Sequence, residues 1–394
     1  MKNDPISSIV ACNLCTGCGA CAGLFPEFIR MIDDRVNGRR PVVQQSAQGR
    51  QASQKAVAVC AGGGSDWTDL ETRDEVDRDW GPVLAAWEGW AGNSEIRHNG
   101  SSGGAVTALA DFALASGVAS GIAHTAACAD DPRLNEAVIS SERAALLRGT
   151  GSRYAQASPA EALGAIAAND LAIAFVGKPC DVAAVDKAVK TGAVPERNIP
   201  LTIAIFCAGT PTLAATEALL DRLKVPKPGR LVDLRYRGKG WPGLMQAEWI
   251  EQDGTRKVSE GISYSEGWGS ILQSSRRWRC RVCSDHTGAF ADISVGDPWH
   301  APPNGNTDAG RSLIVARTAR GRALVEGAIR AGVLVAEPRT RDEIARAQPN
   351  LQATHGAAWG RRVSTRAIGL AAPTDRGQRL FKLWRATEVS EVSG

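Results

Sequence analysis

Cys12, Cys15, Cys18 and Cys21 recur at every third position in CNLCTGCGACAGLFP, residues 12–26. The run matches the opening of the C-x2-C-x2-C-x3-C-P pattern whose thiolates hold iron–sulfur clusters. Phe25 takes the fourth cysteine's place, and Pro26 alone keeps the ending. A second group is scattered: Cys180 in VGKPCD, Cys207 in IFCAGT, and Cys280 with Cys283 in CRVC. A lone CxxC serves as half a zinc site, a dithiol redox pair or half an iron–sulfur site. The four thiols together make one complete set. His286 is the one histidine near them in sequence, so a mixed Cys/His zinc site is the less natural reading and an iron–sulfur cluster is favoured over zinc. Cys60 stands alone and reads as a small buried apolar residue.

These groups need elements to position them. LAIAFVGKPCDVAAVDKAV, residues 171–189, reads as a buried strand to Val176, a tight turn and a helix with Pro179 in its first turn. LTIAIFCAGTPTLAATEALLDRL, residues 201–223, repeats the plan with a strand to Phe206. Strands alternating with helices predict a parallel sheet with right-handed crossovers. Cys180 and Cys207 then sit just beyond strand carboxyl ends, the edge where open α/β sheets bind ligands, and near helix N-termini, which favour a thiolate. Upstream, HNGSSGGAVTALADFALASG, residues 98–117, is a glycine- and serine-rich turn leading into a helix, with Asn99, Ser101 or Ser102 as cap and Gly117 at its end. Such a loop suits a phosphate, and a purely structural turn equally; no clear strand precedes it. Residues 44–80 read as a polar connector, Asp253-Gly254 as a hairpin turn, residues 291–295 as a strand, and residues 311–338 as strand, helix, strand.

A net charge of +4 over 394 residues, with both signs interspersed, offers no basic face for nucleic acid, and none is expected as a partner. Arg276, Arg277, Arg279 and Arg281, and Arg361 with Arg362, read as solvated faces or docking patches. MKNDPISSIV lacks the pattern of a secretory leader. The most apolar region, residues 104–129, is interrupted by Asp111 and His124, so no membrane span is expected. The expectation is a cytoplasmic chain, in which ten cysteines speak for metal or redox chemistry rather than disulfides.

NGSSGGAVTALADFAL, GTGSRYAQ (149–156), FVGKPCDVAA, FCAGTP and CRVCSDHTGAFADISVGD, in this order and spacing, resemble the coenzyme F420-reducing hydrogenase beta subunit family. That family includes formate dehydrogenase beta subunits and ferredoxin-dependent chlorophyll-type reductases, and the likeness runs from about residue 12 to 340. The resemblance implies FAD beside a [4Fe-4S] cluster, with further clusters in a ferredoxin-like N-terminal part. It also implies electron transfer between ferredoxin or a redox partner subunit and a hydride-accepting small molecule. By the same resemblance Asn99, Gly100, Ser101, Ser102, Gly103, Gly104, Ser152, Arg153 and Tyr154 become FAD contacts, and Lys178 a phosphate or flavin contact. Cys180, Cys207, Cys280 and Cys283 would hold one cluster, and Cys15, Cys18 and Cys21 an N-terminal one. With Phe25 where a fourth cysteine belongs, Cys12 is the expected fourth ligand; a noncysteine ligand or water, or a three-iron form, are the alternatives. A cluster handles one electron and a hydride carries two, so a flavin must stand between them.

The expected fold class is α/β, mixed with α+β. It comprises an iron–sulfur segment at 1–60, a domain with the glycine-rich FAD loop at 80–165, a domain with the second cluster at 166–340, partly antiparallel, and an extension at 341–394 whose Trp359 and Trp384 pack onto the body. RYRGKGWPG, residues 235–243, looks like a bacterial branch rather than the methanogen hydrogenase subunits, so the substrate need not be the deazaflavin coenzyme F420. This loop, with Arg235, Arg237 and Lys239, reads as a surface turn ahead of a cover over an anionic or planar substrate. Asp297 and His300 either face the substrate or cap a turn. His98 and His124 read as structural; no acid or base stands out, and homo-oligomerisation stays open. The alternative reading is a zinc-stabilised binding or assembly subunit without redox activity.

Overall fold

The computed structural model describes residues 4–71, 75–227, 229–301, 305 and 307–387. A hairpin of β1 (Ile29–Asp34) and β2 (Gly38–Val43) comes first. It is followed by β3 (Ala85–Ala91), β4 (Gly121–Ala127), β5 (Asn135–Ser140), β6 (Ile173–Gly177) and β7 (Thr202–Ile205). Then come β8 (Arg230–Arg235), β9 (Trp241–Pro242), β10 (Gln246–Ile250) and β11 (Arg256–Val258). The last are β12 (Ile293–Gly296), β13 (Thr307–Asp308), β14 (Ser312–Ala316) and β15 (Leu334–Arg339). Eight of them form one sheet in the order β15-β3-β14-β12-β7-β6-β4-β5. β12, β7, β6 and β4 run parallel, and the flanking strands are antiparallel.

The alternation of side chains along a strand builds two cores from this one sheet. Ile122, Ala174, Ile203 and Ile293 face a layer containing the helices Ala105–Ala115 and Ala319–Arg330. Their neighbours Ala123, Ile173, Phe175 and Ala204 face the helix Pro179–Lys190 and its partner Leu163–Ala168. Helices on both faces of a largely parallel centre make the fold α/β, as the strand–helix alternation predicts. A three-stranded sheet, β11-β10-β8, packs with the helix Leu213–Arg222 around a third core containing Tyr236, Met245, Trp268 and Leu272.

Several local expectations change. The supposed connector contains the helix Ala47–Ala56, capped by Ser46 and followed by a tight turn that ends at Cys60. A strand, β3, does precede the glycine-rich loop, with the short helix Ser94–Asn99 between. Asn99 closes that helix, and the following helix starts from Gly104 in the left-handed region with no side-chain cap. At the C-terminus, Trp359 packs at a tilt against Trp384 and Phe381 within a helical pair. The pair is anchored to the body by Arg362, which donates to Val282 O and pairs with Asp375. Among the described residues no helix is long and apolar enough to cross a membrane.

Candidate cofactor site

The carboxyl ends of β6, β7 and β12 open onto a cavity of about 280 Å³. Ser101, Ser102, Gly104, Ser152, Arg153, Tyr154 and Lys178 line it, so the two motifs nearly fifty residues apart in sequence do converge. Their junction is direct: Ser152 donates to Ser101 Oγ from its backbone N–H at 2.9 Å and from its hydroxyl at 2.8 Å. Asn99, Gly100 and Gly103 do not line the cavity. Gly100 packs against Gly104 and the carbonyl of Ile96, and Gly103 against Arg311. Arg153 reaches the cavity while its guanidinium is engaged by Asn135 Oδ1 at 2.8 Å and Leu234 O at 3.0 Å. Lys178 Nζ donates to buried Asp181 at 2.6 Å, so its charge is already matched.

Gly104 holds a φ of +75°, and a Cβ there would stand 2.5 Å from Ile96 O. Gly117 has nearly the same φ, +73°, with open space around it. Gly117→Ala therefore carries only the left-handed penalty of about 1–2 kcal/mol. Gly104→Ala adds a backbone clash at the cavity wall, so its thermal unfolding midpoint is expected to fall clearly below that of Gly117→Ala.

Part of the lining is aromatic: Tyr154, Tyr264, Trp268 and Trp299, with Tyr154 and Trp268 centroids 4.9 Å apart and Tyr264 stacked on Trp299 at 5.6 Å. An ion pair lines the cavity as well. Asp297 accepts from Arg237 at 2.8 and 3.0 Å, from Trp241 Nε1 at 2.8 Å and from Ser102 Oγ. Gln348, from the C-terminal extension, donates to Asp297 O. Burial pushes the Asp297 carboxyl up, but the Arg237 charge and these donors outweigh it and hold the group below the usual carboxylate range. Arg237 also lies over the Tyr264 ring at 5.1 Å. The expectation of a surface turn at 235–243 is thus overturned: Arg237 and Trp241 are buried, because a carboxylate distant in sequence draws them inward. His300 does not line the cavity and stands 3.4 Å from Glu88. His124 lines it with its Nε2 held by Ser140 Oγ at 2.8 Å, in keeping with a structural role.

Cys207 lines the cavity as well. Contacts bring the segments of Cys207 and CRVC together: His286 Nδ1 lies 2.8 Å from Cys207 O, and a Cβ on Gly209 would stand 3.2 Å from Cys280 Cβ. Burial pushes Cys207 up to about 12. Thr210 N–H donates to Cys280 Sγ at 3.4 Å.

The N-terminal set closes differently from the expectation. Cys15, Cys18, Cys21 and Cys60 line one small pocket, together with Ile6, Ile9 and Met31, while Cys12 is exposed and caps the end of the helix Pro5–Ala11. Cys60, rather than Cys12, thus shares the pocket with the other three cysteines. Two backbone contacts fix it there: Lys187 Nζ donates to Cys60 O at 2.8 Å, and Gly62 lies so close to Leu14 that a Cβ would be 2.7 Å from Leu14 O. Gly17 N–H donates to Cys15 Sγ and Gly62 N–H to Cys60 Sγ, each at 3.3 Å. Such N–H···S bonds stabilise thiolate charge. Burial pushes Cys18 up to about 12, so metal binding here would displace protons. Cys18 lies in the apolar core against which Cys180 packs, so the two thiol groups meet there.

Among the described residues no group of three or more His, Cys, Asp or Glu is gathered tightly enough to hold a single metal ion. Three of the arginines read as solvated, Arg277, Arg279 and Arg362, are buried.

Two family models, for the N-terminal and the C-terminal parts of the coenzyme F420 hydrogenase/dehydrogenase beta subunit, match residues 86–163 and 170–342 respectively. A search of curated proteins gives no match. A chain in the structure of the F420-reducing [NiFe] hydrogenase complex from Methanosarcina barkeri, studied by xenon derivatization, is similar in fold, with a TM-score of 0.56 and 17% identity over 79% of this chain and 99% of that one. The two matched stretches hold the glycine-rich loop, the Arg237–Asp297 pair and the second thiol set, while the first thiol set lies ahead of them. The chain belongs to the coenzyme F420 hydrogenase/dehydrogenase beta subunit family, a family of oxidoreductase subunits.

Proposed function

We propose that the chain is an FAD- and [4Fe-4S]-dependent oxidoreductase subunit that passes electrons between ferredoxin or a redox partner subunit and a hydride-accepting small molecule such as coenzyme F420. The observation that carries this reading is the pocket shared by Cys15, Cys18, Cys21 and Cys60, whose Cys18 lies in the core against which Cys180 packs, with Cys207 in the wall of the large cavity. Cys15, Cys18, Cys21 and Cys60 would hold one cluster, and Cys180, Cys207, Cys280 and Cys283 the other. When bound, the clusters supply one-electron steps and the flavin links them to a two-electron hydride.

The chain's own residues have separable parts in this reading. Ser101, Ser102 and Gly104 lead into the helix Ala105–Ala115, whose free N–H groups and dipole suit a diphosphate. Tyr264, Trp268 and Trp299 give the cavity an aromatic lining suited to a planar heterocycle. The Arg237–Asp297 pair holds that wall in place without leaving a net charge in it. Lys178, fixed by Asp181, keeps a positive charge beside Cys180 and Cys207.

Anaerobic purification with cofactor analysis tests the proposal. The expected protein is brown, with about four iron and four sulfide per thiol set and bound FAD. A colourless protein with stoichiometric zinc would establish the assembly-subunit alternative instead.

A further inference from the structure

Two guanidinium groups are buried between the thiol sets, and both come from the segment just before CRVC. Arg277 is 4% exposed and Arg279 6%. Arg277 Nη1 donates to Thr16 O, in the loop between Cys15 and Cys18, while its backbone N–H donates to Thr210 O, three residues after Cys207, at 3.3 Å. Arg279 Nε donates to Gly62 O at 3.1 Å and Nη2 to Ala61 O at 3.4 Å, immediately after Cys60. Each arginine thus starts in the second thiol set's segment and ends against the first set's backbone. Room is made for Arg277 by two glycines: a Cβ on Gly17 would stand 2.1 Å from Nη1, and one on Gly38 2.4 Å from Nε.

The hydrogen bonds leave much of this charge unmatched. Nε and Nη2 of Arg277 and Nη1 of Arg279 are buried with no hydrogen-bond partner. Neither residue forms an ion pair among the described residues; Asp375, whose field reaches Arg279, is paired with Arg362 at 2.6 Å. A buried cation without a counter-charge is strongly disfavoured. What flanks both is thiol-bearing chain: Arg277 is bonded between Cys15 and Cys18 and its charge acts on Cys15, while Arg279 directly precedes Cys280, is bonded just after Cys60, and its charge acts on Cys283, Cys180 and Cys280 and also on Cys60.

We infer that Arg277 and Arg279 are the counter-charges of the two clusters and raise their reduction potentials, Arg277 chiefly that of the cluster on Cys15, Cys18, Cys21 and Cys60, Arg279 chiefly that of the cluster on Cys180, Cys207, Cys280 and Cys283. The inference rests on the proposed two-cluster reading. A tetrathiolate cluster is a net anion, and each one-electron reduction adds a further negative charge. A fixed neighbouring cation therefore favours the reduced form. Because both side chains span the two sets, each cluster also feels the partner arginine, more weakly.

The test is an anaerobic dithionite titration of the full chain followed by EPR, with iron counted in every variant and the N-terminal signal assigned by its loss in Cys60→Ser. Arg277→Gln is expected to shift the reduced-to-oxidised ratio of the N-terminal cluster at least tenfold towards oxidised, a fall of 59 mV for one electron, and to move the second cluster less. Arg279→Gln is expected to do the reverse, and the Lys variants to keep midpoints near those of the wild type. Full iron with unmoved midpoints in both Gln variants overturns the inference, as do equal shifts of both clusters in either. If Arg277→Gln loses its iron, Arg277→Lys decides: retention of iron and midpoint supports the counter-charge, and loss assigns Arg277 a packing role only. A wild-type protein without clusters sinks the two-cluster reading itself, before any variant is measured.

Discussion

Cys60→Ser is expected to release about half of the iron held by the chain, since it removes one of the four thiols on one of two equal sets; Cys12→Ser is expected to release none. The contrast follows from position. Cys60 lines the pocket with Cys15, Cys18 and Cys21, and its thiol is pushed up first by burial and then by the Cys15 charge. Cys12 is exposed at a helix end. Neither substitution disturbs the sheet, because the helix Ala47–Ala56 ahead of Cys60 is tied to the N-terminus by its own bonds: Ile6 N–H to Ser53 Oγ at 2.9 Å, and Ser53 Oγ to Asp4. Iron and sulfide analysis of the anaerobic proteins, with unfolding midpoints as the control, measures both. Equal iron in Cys60→Ser and wild type would remove Cys60 from the set, and iron loss in Cys12→Ser would return the ligand to the N-terminal run.

The α/β class and the placement of Cys180 and Cys207 beyond strand ends were legible because their signals are local. Apolar runs ending in Val176 and Phe206, each followed by a turn and a helix, define strand ends, and two cysteines stand at those ends. Cys60 was illegible for the opposite reason. Its nearest thiols are some forty residues away in the chain, and only the packing of the Ala47–Ala56 helix and the close approach of Gly62 to Leu14 O brings them together. The arginines failed in the same way: charge runs usually face water, and Arg277, Arg279 and Arg362 are exceptions because their acceptors, backbone carbonyls and for Arg362 also Asp375, are reached only in the folded chain. Strand β3 was hidden by its own chemistry. Glu88 lies in its centre and is buried, which a strand tolerates only with cations around it: Arg311 at 3.0 Å and Arg339 at 3.4 Å.

Asp297→Ala is expected to cost about 3–5 kcal/mol of stability, because it leaves Arg237 buried without its counter-charge. The two side chains are 2% and 16% exposed, and Arg237 Nη1 has one further side-chain contact, Tyr154 OH at 3.3 Å. Removing both members, as Arg237→Met with Asp297→Ala, is expected to recover most of the loss, since an apolar replacement leaves no orphaned charge. The pair also sets a pH signature. The carboxyl of Asp297 lies below its ordinary value in the folded chain, so its contribution is fully present above the unfolded carboxylate range near 4 and is lost as pH falls through the lower folded value. The gap in unfolding midpoint between wild type and Asp297→Asn should therefore be constant from neutral pH to about 5 and close on further acidification. Because Asp297 also holds Ser102 and Trp241, the same variants are expected to lose FAD on gel filtration, whereas Gly117→Ala retains it. Unchanged stability in Asp297→Ala would mean that Arg237 finds another acceptor or water, and the cavity wall would not depend on the ion pair.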